Sequence, residues 1–303
     1  MISINDITMT YRGSLTPIKS LDRVTAEIKD GSIFGLIGSN GSGKSTLLRI
    51  MAGIIEPDTG EVTYDGAPVF ENDIAKQDIV YLSDEQYFLP GSSINEMKNF
   101  YKTVRTGFSE ENFKKLRDIF KLDCDRKIST FSKGMKKQAS VMLGIASRPK
   151  YLLCDETFDG LDPVVRQLVK RILAEESADG GMTTIIASHN LREMEDICDT
   201  VALLHKGELL FERELDDMKL GLHKVQAVFR EDFSADELKS LKILSFERRG
   251  SLVTFIARGE RTEIEDFLRA KSPTFFELIP LTLEEIFISE MEEKGYDFSK
   301  LVY

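Results

Sequence analysis

The chain has 303 residues, of which 42% are hydrophobic and 30% are charged, and its formal net charge is −11. This length and composition are typical of a soluble protein with one large domain and a smaller one. The acidic balance argues against nucleic acid as the main partner, because binding to a phosphate backbone requires a basic surface.

Cysteine usage and the first residues predict a cytoplasmic location. Cys124, Cys154 and Cys198 are widely spaced and follow no metal-ligand or disulfide pattern, so we expect reduced thiols. Residues 1–6 have neither the basic start nor the apolar core of a signal peptide. No apolar run approaches the roughly 18 residues that span a bilayer, so work at a membrane would require another subunit to cross it.

The first 80 residues predict short strands around one helix. Apolar and β-branched runs predict strands at residues 2–7, 24–28, 33–37 and 62–64, a helix at 46–50 and a turn at 56–60.

A glycine-rich loop joins the third strand to that helix. It reads Gly38-Ser39-Asn40-Gly41-Ser42-Gly43-Lys44-Ser45, which matches the G-x-x-x-x-G-K-[ST] pattern of phosphate-binding loops in its strand–loop–helix context. Backbone N–H groups of such a loop converge on phosphate, and the helix N-terminus adds partial positive charge. We expect Lys44 to reach the β- and γ-phosphates and Ser45 to ligate Mg²⁺. A flexible Gly/Ser turn is the alternative, which the flanking strand and helix disfavour.

Helical periodicity replaces strand patterns in the next segment. Two apolar stripes, each predicting an amphipathic core helix, consist of Ile94, Met97, Phe100 and Tyr101, and of Phe113, Leu116, Ile119 and Phe120. We therefore expect a helical subdomain at about 83–150, inserted into an α/β core.

Apolar strands then return and alternate with helices. Strands are predicted at residues 151–154, 184–187 and 201–204, with a helix at 163–176 between the first two. This alternation of near-continuous apolar strands with helices indicates a mostly parallel sheet covered on both faces.

Two carboxylates end the first of these strands. Asp155 is placed to hold Mg²⁺ directly or through water. Glu156 would point the other way by strand alternation and could polarise an attacking water. The alternative is that the pair merely supplies negative charge to a helix N-terminus.

The pattern changes beyond residue 218. Strands at 225–229, 244–248, 252–257 and 275–279 are interleaved with helices at 235–241 and 261–270, and a helix at 283–292 follows. This strand–helix–strand–strand–helix–strand order is ferredoxin-like. We therefore predict a domain at 1–219 and a small α+β domain at 220–303.

Residues 131–138 carry a further motif, Phe-Ser-Lys-Gly-Met-Lys-Lys-Gln, before the acidic strand. At this point the chain resembles the ATP-binding-cassette (ABC) ATPases, whose Leu-Ser-Gly-Gly-Gln signature occupies this place. The resemblance covers about 1–215, with several motifs in matching order. It implies the α/β fold of a P-loop NTPase, as an ABC-type nucleotide-binding domain with a helical insertion.

The resemblance also implies a composite site. In this family two cassettes meet head to tail, so Ser132, Lys133, Gly134 and Met135 would contact, in trans, the ATP held by the partner's phosphate loop. Lys133 and Met135 depart from the signature, which has Gly and Gln there. An N-capped helix with solvated lysines is the alternative interpretation of the segment.

Further matches complete the implied site. Asp162 matches the acid of the loop that crosses the dimer interface, His189 matches the switch histidine at the γ-phosphate, and Tyr11 matches the aromatic residue that stacks on adenine. The implied ATP-binding set within one chain is Tyr11, Gly38, Ser39, Asn40, Gly41, Ser42, Gly43, Lys44, Ser45 and Thr46. Glu156 and His189 would be catalytic, and Ser45 and Asp155 would hold Mg²⁺.

One loop matches the family poorly. Asp84 stands where the family usually has Gln, after the strand near residue 80. It is a third candidate ligand for Mg²⁺, although its negative charge would alter the coupling to the γ-phosphate. Gln86 would substitute for the usual Gln if the loop is shifted, and the sequence leaves both possibilities open.

The family implies the ATP-hydrolysing subunit of a transporter that acts with a separate membrane-spanning permease. We expect a homodimer or heterodimer of cassettes, peripheral on the cytoplasmic face of the cell membrane, with a permease-docking groove around Phe108 within 83–125. Residues 280–287 resemble the ending of many bacterial exporter ATPases, which favours export. The alternatives are a soluble ABC-type ATPase that is not coupled to transport and a regulatory cassette that binds ATP without turnover.

Overall fold

The computed structural model describes residues 1–13, 16–219, 221–229 and 233–293. The chain divides into two units, Met1–Glu212 and Arg213–Tyr303, and each is treated by itself below. The domain boundary at 219/220 stays a prediction.

The first unit alternates strands and helices over most of its length. Its strands are β1 (Ile2–Tyr11), β2 (Ile18–Ile28), β3 (Ile33–Ile37), β4 (Thr59–Tyr64), β5 (Ala67–Pro68), β6 (Ile79–Leu82), β7 (Tyr151–Asp155), β8 (Thr183–Ser188), β9 (Thr200–His205) and β10 (Glu208–Glu214), which runs past the division. Its helices are α1 (Lys44–Met51), α2 (Asp73–Gln77), α3 (Ile94–Val104), α4 (Glu110–Phe120), α5 (Lys133–Ala146), α6 (Pro163–Gly180) and α7 (Leu191–Glu195).

A six-stranded sheet in the order β10-β9-β3-β8-β7-β6 carries the core. The neighbours from β9 to β6 pair in parallel, and every residue of β3, β7 and β8 is buried. The mostly parallel, two-sided sheet predicted from the sequence is therefore confirmed. Because parallel strands end at one edge, the loops after β3, β6, β7 and β8 lie together there.

A second sheet, β2-β1-β4-β5, is antiparallel. The sequence predicted short strands here but not a separate sheet. Both long strands run beyond their buried parts, to Tyr11 in β1 and from Ile18 in β2, where the side chains are only partly buried or exposed. Cross-strand pairing, which local hydrophobicity does not reveal, holds these polar ends in the sheet.

Three helices occupy the insertion between β6 and β7, as the periodicity predicted. Each begins at a serine N-cap, Ser93, Ser109 or Ser132, and Ser93 forms a capping box with Glu96. Most of the predicted stripe residues are buried, but Phe100 is 44% exposed.

The second unit contains one antiparallel sheet. Its elements are α8 (Leu215–Lys219), β11 (Leu222–Val228), a 3₁₀ turn (Ala235–Leu238), β12 (Lys242–Arg249), β13 (Leu252–Arg258), α9 (Arg261–Ala270), β14 (Phe275–Ile279) and α10 (Leu283–Glu293). The strand order is β12-β13-β11-β14. Where the sequence predicted a first helix at 235–241, the structure has only this single 3₁₀ turn.

Cys124, Cys154 and Cys198 are all free and buried. Burial raises the pKa of the Cys154 thiol to about 12, so it stays protonated and unreactive. Across the described residues, none of the helices combines the length and the apolar character needed to cross a membrane.

Candidate functional site

The loop between β3 and α1 has the backbone that the glycine pattern predicted. Gly41 and Gly43 have φ angles of 78° and 109°, a region that favours glycine. A Cβ on Gly43 would lie 2.5 Å from the Ser20 carbonyl oxygen, and one on Gly38 would lie 2.3 Å from the Leu204 carbonyl oxygen. Glycine is therefore required here for space as well as for conformation.

Lys44, the first residue of α1, lies folded over this loop. Its ammonium donates to the carbonyl oxygens of Gly38 at 2.7 Å and Ser39 at 3.2 Å. It also lies 3.3 Å from Glu156 Oε1, and the residue is only 5% exposed. Among the described residues, the buried hydroxyl of Ser42, two positions earlier in the loop, has no hydrogen-bond partner. A cation, an unpaired hydroxyl and a helix N-terminus together suit an anionic ligand such as phosphate.

Ser45 and Asp155 provide adjacent oxygens at the start of α1 and the end of β7. Ser45 Oγ donates to Asp155 Oδ1 at 3.0 Å, and the Tyr81 hydroxyl donates to Asp155 Oδ2 at 2.9 Å. Burial, followed by the nearby Asp155 carboxylate, raises the pKa of Tyr81 well above its usual range. The phenol therefore stays protonated and holds the carboxylate in place. Hydroxyl and carboxylate oxygens are ligands that Mg²⁺ prefers.

Glu156 leaves the strand in a left-handed conformation, with φ of 46°. Its N–H donates to the Ala187 carbonyl at 3.0 Å, and its carboxylate lies between Lys44 and His189, with His189 Nδ1 3.0 Å from Oε2. The expectation that strand alternation orients Glu156 was wrong, because β7 ends at Asp155. The left-handed residue instead directs the carboxylate to the loop.

Lys44, Ser45, Glu156 and His189 line one pocket of about 420 Å³ within the first unit, and Asp155 lies behind its lining in contact with Ser45. Its lining comprises Ser20, Asn40, Gly41, Gly43, Lys44, Ser45, Thr46, Asp84, Glu156, Asp159 and His189. Tyr11 adjoins the pocket through Thr46, since the two hydroxyl oxygens are 3.4 Å apart. The structure thus brings together most of the residues predicted to bind ATP in cis and both predicted catalytic residues.

The structure distinguishes the two candidates in the loop after β6. Asp84 lines the pocket, whereas the Gln86 side-chain amide donates to the carbonyl oxygens of Ser83 and Asp84 and braces the loop. Asp84 is itself engaged, because its Oδ1 lies 3.1 Å from Lys137 Nζ.

The residues predicted to act in trans lie outside this pocket. Ser132 caps α5 by accepting from the Met135 N–H at 3.2 Å. Asp162 caps α6 by accepting from the N–H groups of Val164 and Val165. Both therefore have helix-capping roles within one chain, and none of residues 132–135 lines the pocket.

Sequence reasoning missed three residues at this edge. Ser20 and Asp159 line the pocket, and Lys137 lies beneath it on α5. Asp159 could have been found, because it lies on the loop that follows Glu156. Nothing in the β2 pattern distinguishes Ser20, and Lys137 resembles a solvated lysine in a basic run.

Comparison with known proteins assigns the family. A sequence profile described as "ABC transporter" matches residues 21–159. The methionine import ATP-binding protein MetN of Carboxydothermus hydrogenoformans is 32% identical over 233 residues, covering 73% of this chain and 68% of MetN. The chain belongs to the ABC transporter ATP-binding proteins. It is the ATP-binding subunit of an ABC transporter, and cassettes of this family are ATPases.

Similarity to another ABC transporter ATP-binding protein extends over nearly the whole chain. The ABC transporter ATP-binding protein YtrB of Bacillus subtilis is 29% identical over 294 residues, covering 97% of this chain and 99% of YtrB. A solved structure described as a dimeric post-hydrolysis state of the cassette MJ0796 bound to ADP and Pi superposes with a TM-score of 0.65. It is 22% identical and covers 71% of this chain and 99% of its own. The predicted α/β cassette fold is confirmed.

Proposed function

We propose that this cassette hydrolyses Mg·ATP to drive export through a separate membrane-spanning subunit. The observation that carries the proposal is the meeting of Lys44, Glu156 and His189 at one pocket beside the phosphate loop. These side chains come from α1, from the end of β7 and from the end of β8, which the parallel sheet brings to one edge.

The residues predicted from the sequence at and beside the pocket have the following proposed parts in hydrolysis. The phosphate loop and Lys44 bind and orient the phosphates. Tyr11, next to Thr46, stacks on the adenine of the bound ATP. Glu156 orients the attacking water and accepts its proton, because its carboxylate is already held toward the pocket by His189. His189 holds Glu156 and contacts the γ-phosphate.

The proposed magnesium site consists of Ser45 Oγ and Asp155. The two are already in hydrogen-bond contact, and Tyr81 fixes the carboxylate. When bound, Mg²⁺ neutralises charge on the β- and γ-phosphates.

We further propose that two cassettes, identical or homologous, close over each nucleotide. Ser132, Lys133, Gly134 and Met135 are outside the pocket of their own chain, and Ser132 and Lys133 are exposed. They are therefore accessible to a nucleotide on a partner cassette, and Asp162 would cross the interface beside them. The dimeric arrangement described for MJ0796 supports this proposal.

The permease would dock on the helical insertion around Phe108. Phe108 is half-buried, with its ring centroid 6.2 Å from that of Phe113, while Phe100 and Val104 on the preceding helix are more than 40% exposed. This apolar surface suits a short segment of a membrane subunit at the cytoplasmic face of the membrane.

The direction of transport rests on the C-terminal ending that resembles exporter ATPases. Within it, Thr282 donates through its N–H to Glu285 Oε2 at 3.0 Å, and Phe287 is buried. These residues are therefore part of the folded second unit. This supports comparing the motif with the ending of exporter ATPases.

Inside-out membrane vesicles that contain the cassette with its permease test the direction. An exporter accumulates compounds in the lumen from a cell extract when Mg·ATP is added, as measured by mass spectrometry. ATP-dependent loss from preloaded vesicles would instead indicate import. ATP hydrolysis without any co-purifying membrane subunit would favour the soluble ATPase.

A further inference from the structure

Lys137 is the most deeply buried lysine among the described residues. It lies in the second turn of α5 and is 1% exposed. Lysine is rarely buried to this extent unless its ammonium is paired and hydrogen-bonded. No role was predicted for it, and it does not line the pocket.

The Lys137 ammonium contacts two elements besides its own helix. It donates to Asp84 Oδ1 at 3.1 Å, on the loop after β6, and it donates to the backbone carbonyl oxygen of Glu156. One side chain thus joins α5, the loop after β6 and the residue that follows β7. Lys133 contributes only peripherally, at 3.9 Å from Asp84 Oδ1 and largely exposed.

The contact with Glu156 falls on the strained residue of the site. A left-handed conformation of a non-glycine residue is strained and persists only where its surroundings hold it. Here the N–H of Glu156 donates to the Ala187 carbonyl, and the Glu156 carbonyl accepts from the Lys137 ammonium and from the Asp159 N–H at 3.2 Å. Together these bonds fix the peptide planes on both sides of the Glu156 side chain, and Lys137 supplies the only one of them that comes from a charged side chain.

We propose that Lys137 is a positioning residue for ATP hydrolysis: it holds Glu156 in its left-handed conformation and neutralises Asp84 beside the phosphate site. The inference rests on the proposed role of Glu156. Lys137 is not proposed to contact nucleotide or water. It acts through its bond to the Glu156 backbone and through its pairing with the Asp84 carboxylate. Because Asp84 is paired with Lys137, we exclude it from the three candidate Mg²⁺ ligands, which leaves Ser45 and Asp155.

The two contacts predict separable kinetic effects. In K137M the side chain keeps its length and loses its charge. Loss of the carbonyl contact should lower kcat about 10- to 100-fold, because small misplacements of a catalytic group are costly. The uncompensated Asp84, being 45% exposed, should raise KM for ATP by roughly 3- to 10-fold through screened repulsion of phosphate.

The double variant D84N/K137M separates these effects. Removing the Asp84 charge should restore KM to about the wild-type value while kcat stays as low as in K137M. A merely structural role of Lys137 would not produce this split. D84N alone should leave the half-saturating Mg²⁺ concentration unchanged, because Asp84 is not a ligand.

K170M is the matched control. Lys170 is also a buried lysine on a helix, 6% exposed, and its ammonium lies 3.2 Å from Asp196 Oδ2. The K170M variant should have a lower free energy of unfolding than the wild type and should keep the wild-type kcat. If K137M does not fold, K137L, which also removes the donor, replaces it. The magnesium measurement uses D84N and does not depend on either variant.

Three outcomes would overturn the proposal: a wild-type kcat in folded K137M, a KM that D84N does not restore, or a Mg²⁺ requirement raised about tenfold in D84N. E156Q in the same assay keeps the two proposals distinct. If E156Q hydrolyses ATP at the wild-type rate, the proposed function fails; if only K137M does so, the role of Lys137 alone fails.

Discussion

Lys44 and Glu156 form a buried ion pair within the site. Their charged atoms are 3.3 Å apart, and the two side chains are 5% and 13% exposed. Because a buried charge needs a partner, the glutamate satisfies the lysine when no phosphate is near. A triphosphate that competes for the ammonium would leave the carboxylate, still in contact with His189, free to accept from water. The same contact thus links nucleotide binding to the orientation of the base.

Replacing Lys44 by alanine should weaken Mg·ATP binding about 10- to 150-fold, because hydrogen bonds to charged groups contribute about 1.5–3 kcal/mol each. Titration calorimetry on the purified chain measures this directly. Lys170→Met is a control that should bind normally, and an unchanged affinity in Lys44→Ala would refute its contact with phosphate.

Replacing Gly38 by alanine should distort the phosphate loop, because the new Cβ would lie 2.3 Å from the Leu204 carbonyl oxygen and 2.4 Å from Ser42 Oγ. We expect a loss of about 1–3 kcal/mol in the free energy of unfolding, together with weaker nucleotide binding. Urea denaturation measures the former. Gly13→Ala, where no atom of the described residues lies within 4 Å of the added Cβ, should change neither property, and equal behaviour of the two variants would contradict the steric argument.

At the scale of elements, an ion-pair cluster ties the start of β7 to the turn after β4. Lys150 Nζ donates to Asp65 Oδ2 at 2.7 Å, and Tyr151 donates to the same oxygen at 3.0 Å. The Lys150 hydrogen bond holds the pKa of Asp65 well below its usual range. Stability from this carboxylate is therefore present above about pH 4 and is lost as the pH falls toward its folded-state pKa.

Asp65→Asn should lower the free energy of unfolding at pH 7 by about 0.5–1 kcal/mol, since the pair is half exposed and screened by solvent. Urea denaturation from pH 7 to pH 3 should show the difference between wild type and variant shrinking below pH 4. A difference that stays constant over this range would mean that the ionised carboxylate is not the cause.

The elements also show how much of the site the sequence predicts. The phosphate loop and the acidic strand end follow from local patterns, whereas His189 follows from the family resemblance. The parallel strands bring all three to one edge of the sheet. The left-handed Glu156 and the burial of Lys137 do not follow from local patterns, because both depend on contacts between segments distant along the chain. The antiparallel sheet was missed for the same reason, since its polar ends are held by pairing across strands rather than by their own hydrophobicity.

For the whole molecule, all pocket-lining residues lie within Met1–Glu212. The second unit has its own apolar core, which includes Val225, Phe255 and Ile264. A chain ending at residue 219 should therefore fold cooperatively and bind Mg·ATP as the full chain does. Thermal unfolding and calorimetry measure both properties, and a truncated chain that is unfolded would show that the two units share one folding unit.

Single-turnover hydrolysis by Glu156→Gln tests the central claim most directly. The purified variant should bind Mg·ATP at least as tightly as the wild type, because Glu156 is proposed to act on water and its charge competes with phosphate for Lys44. It should hydrolyse the bound ATP about 10²- to 10⁴-fold more slowly, and size-exclusion chromatography should show a dimer that persists while ATP is present. Hydrolysis at the wild-type rate would contradict the account.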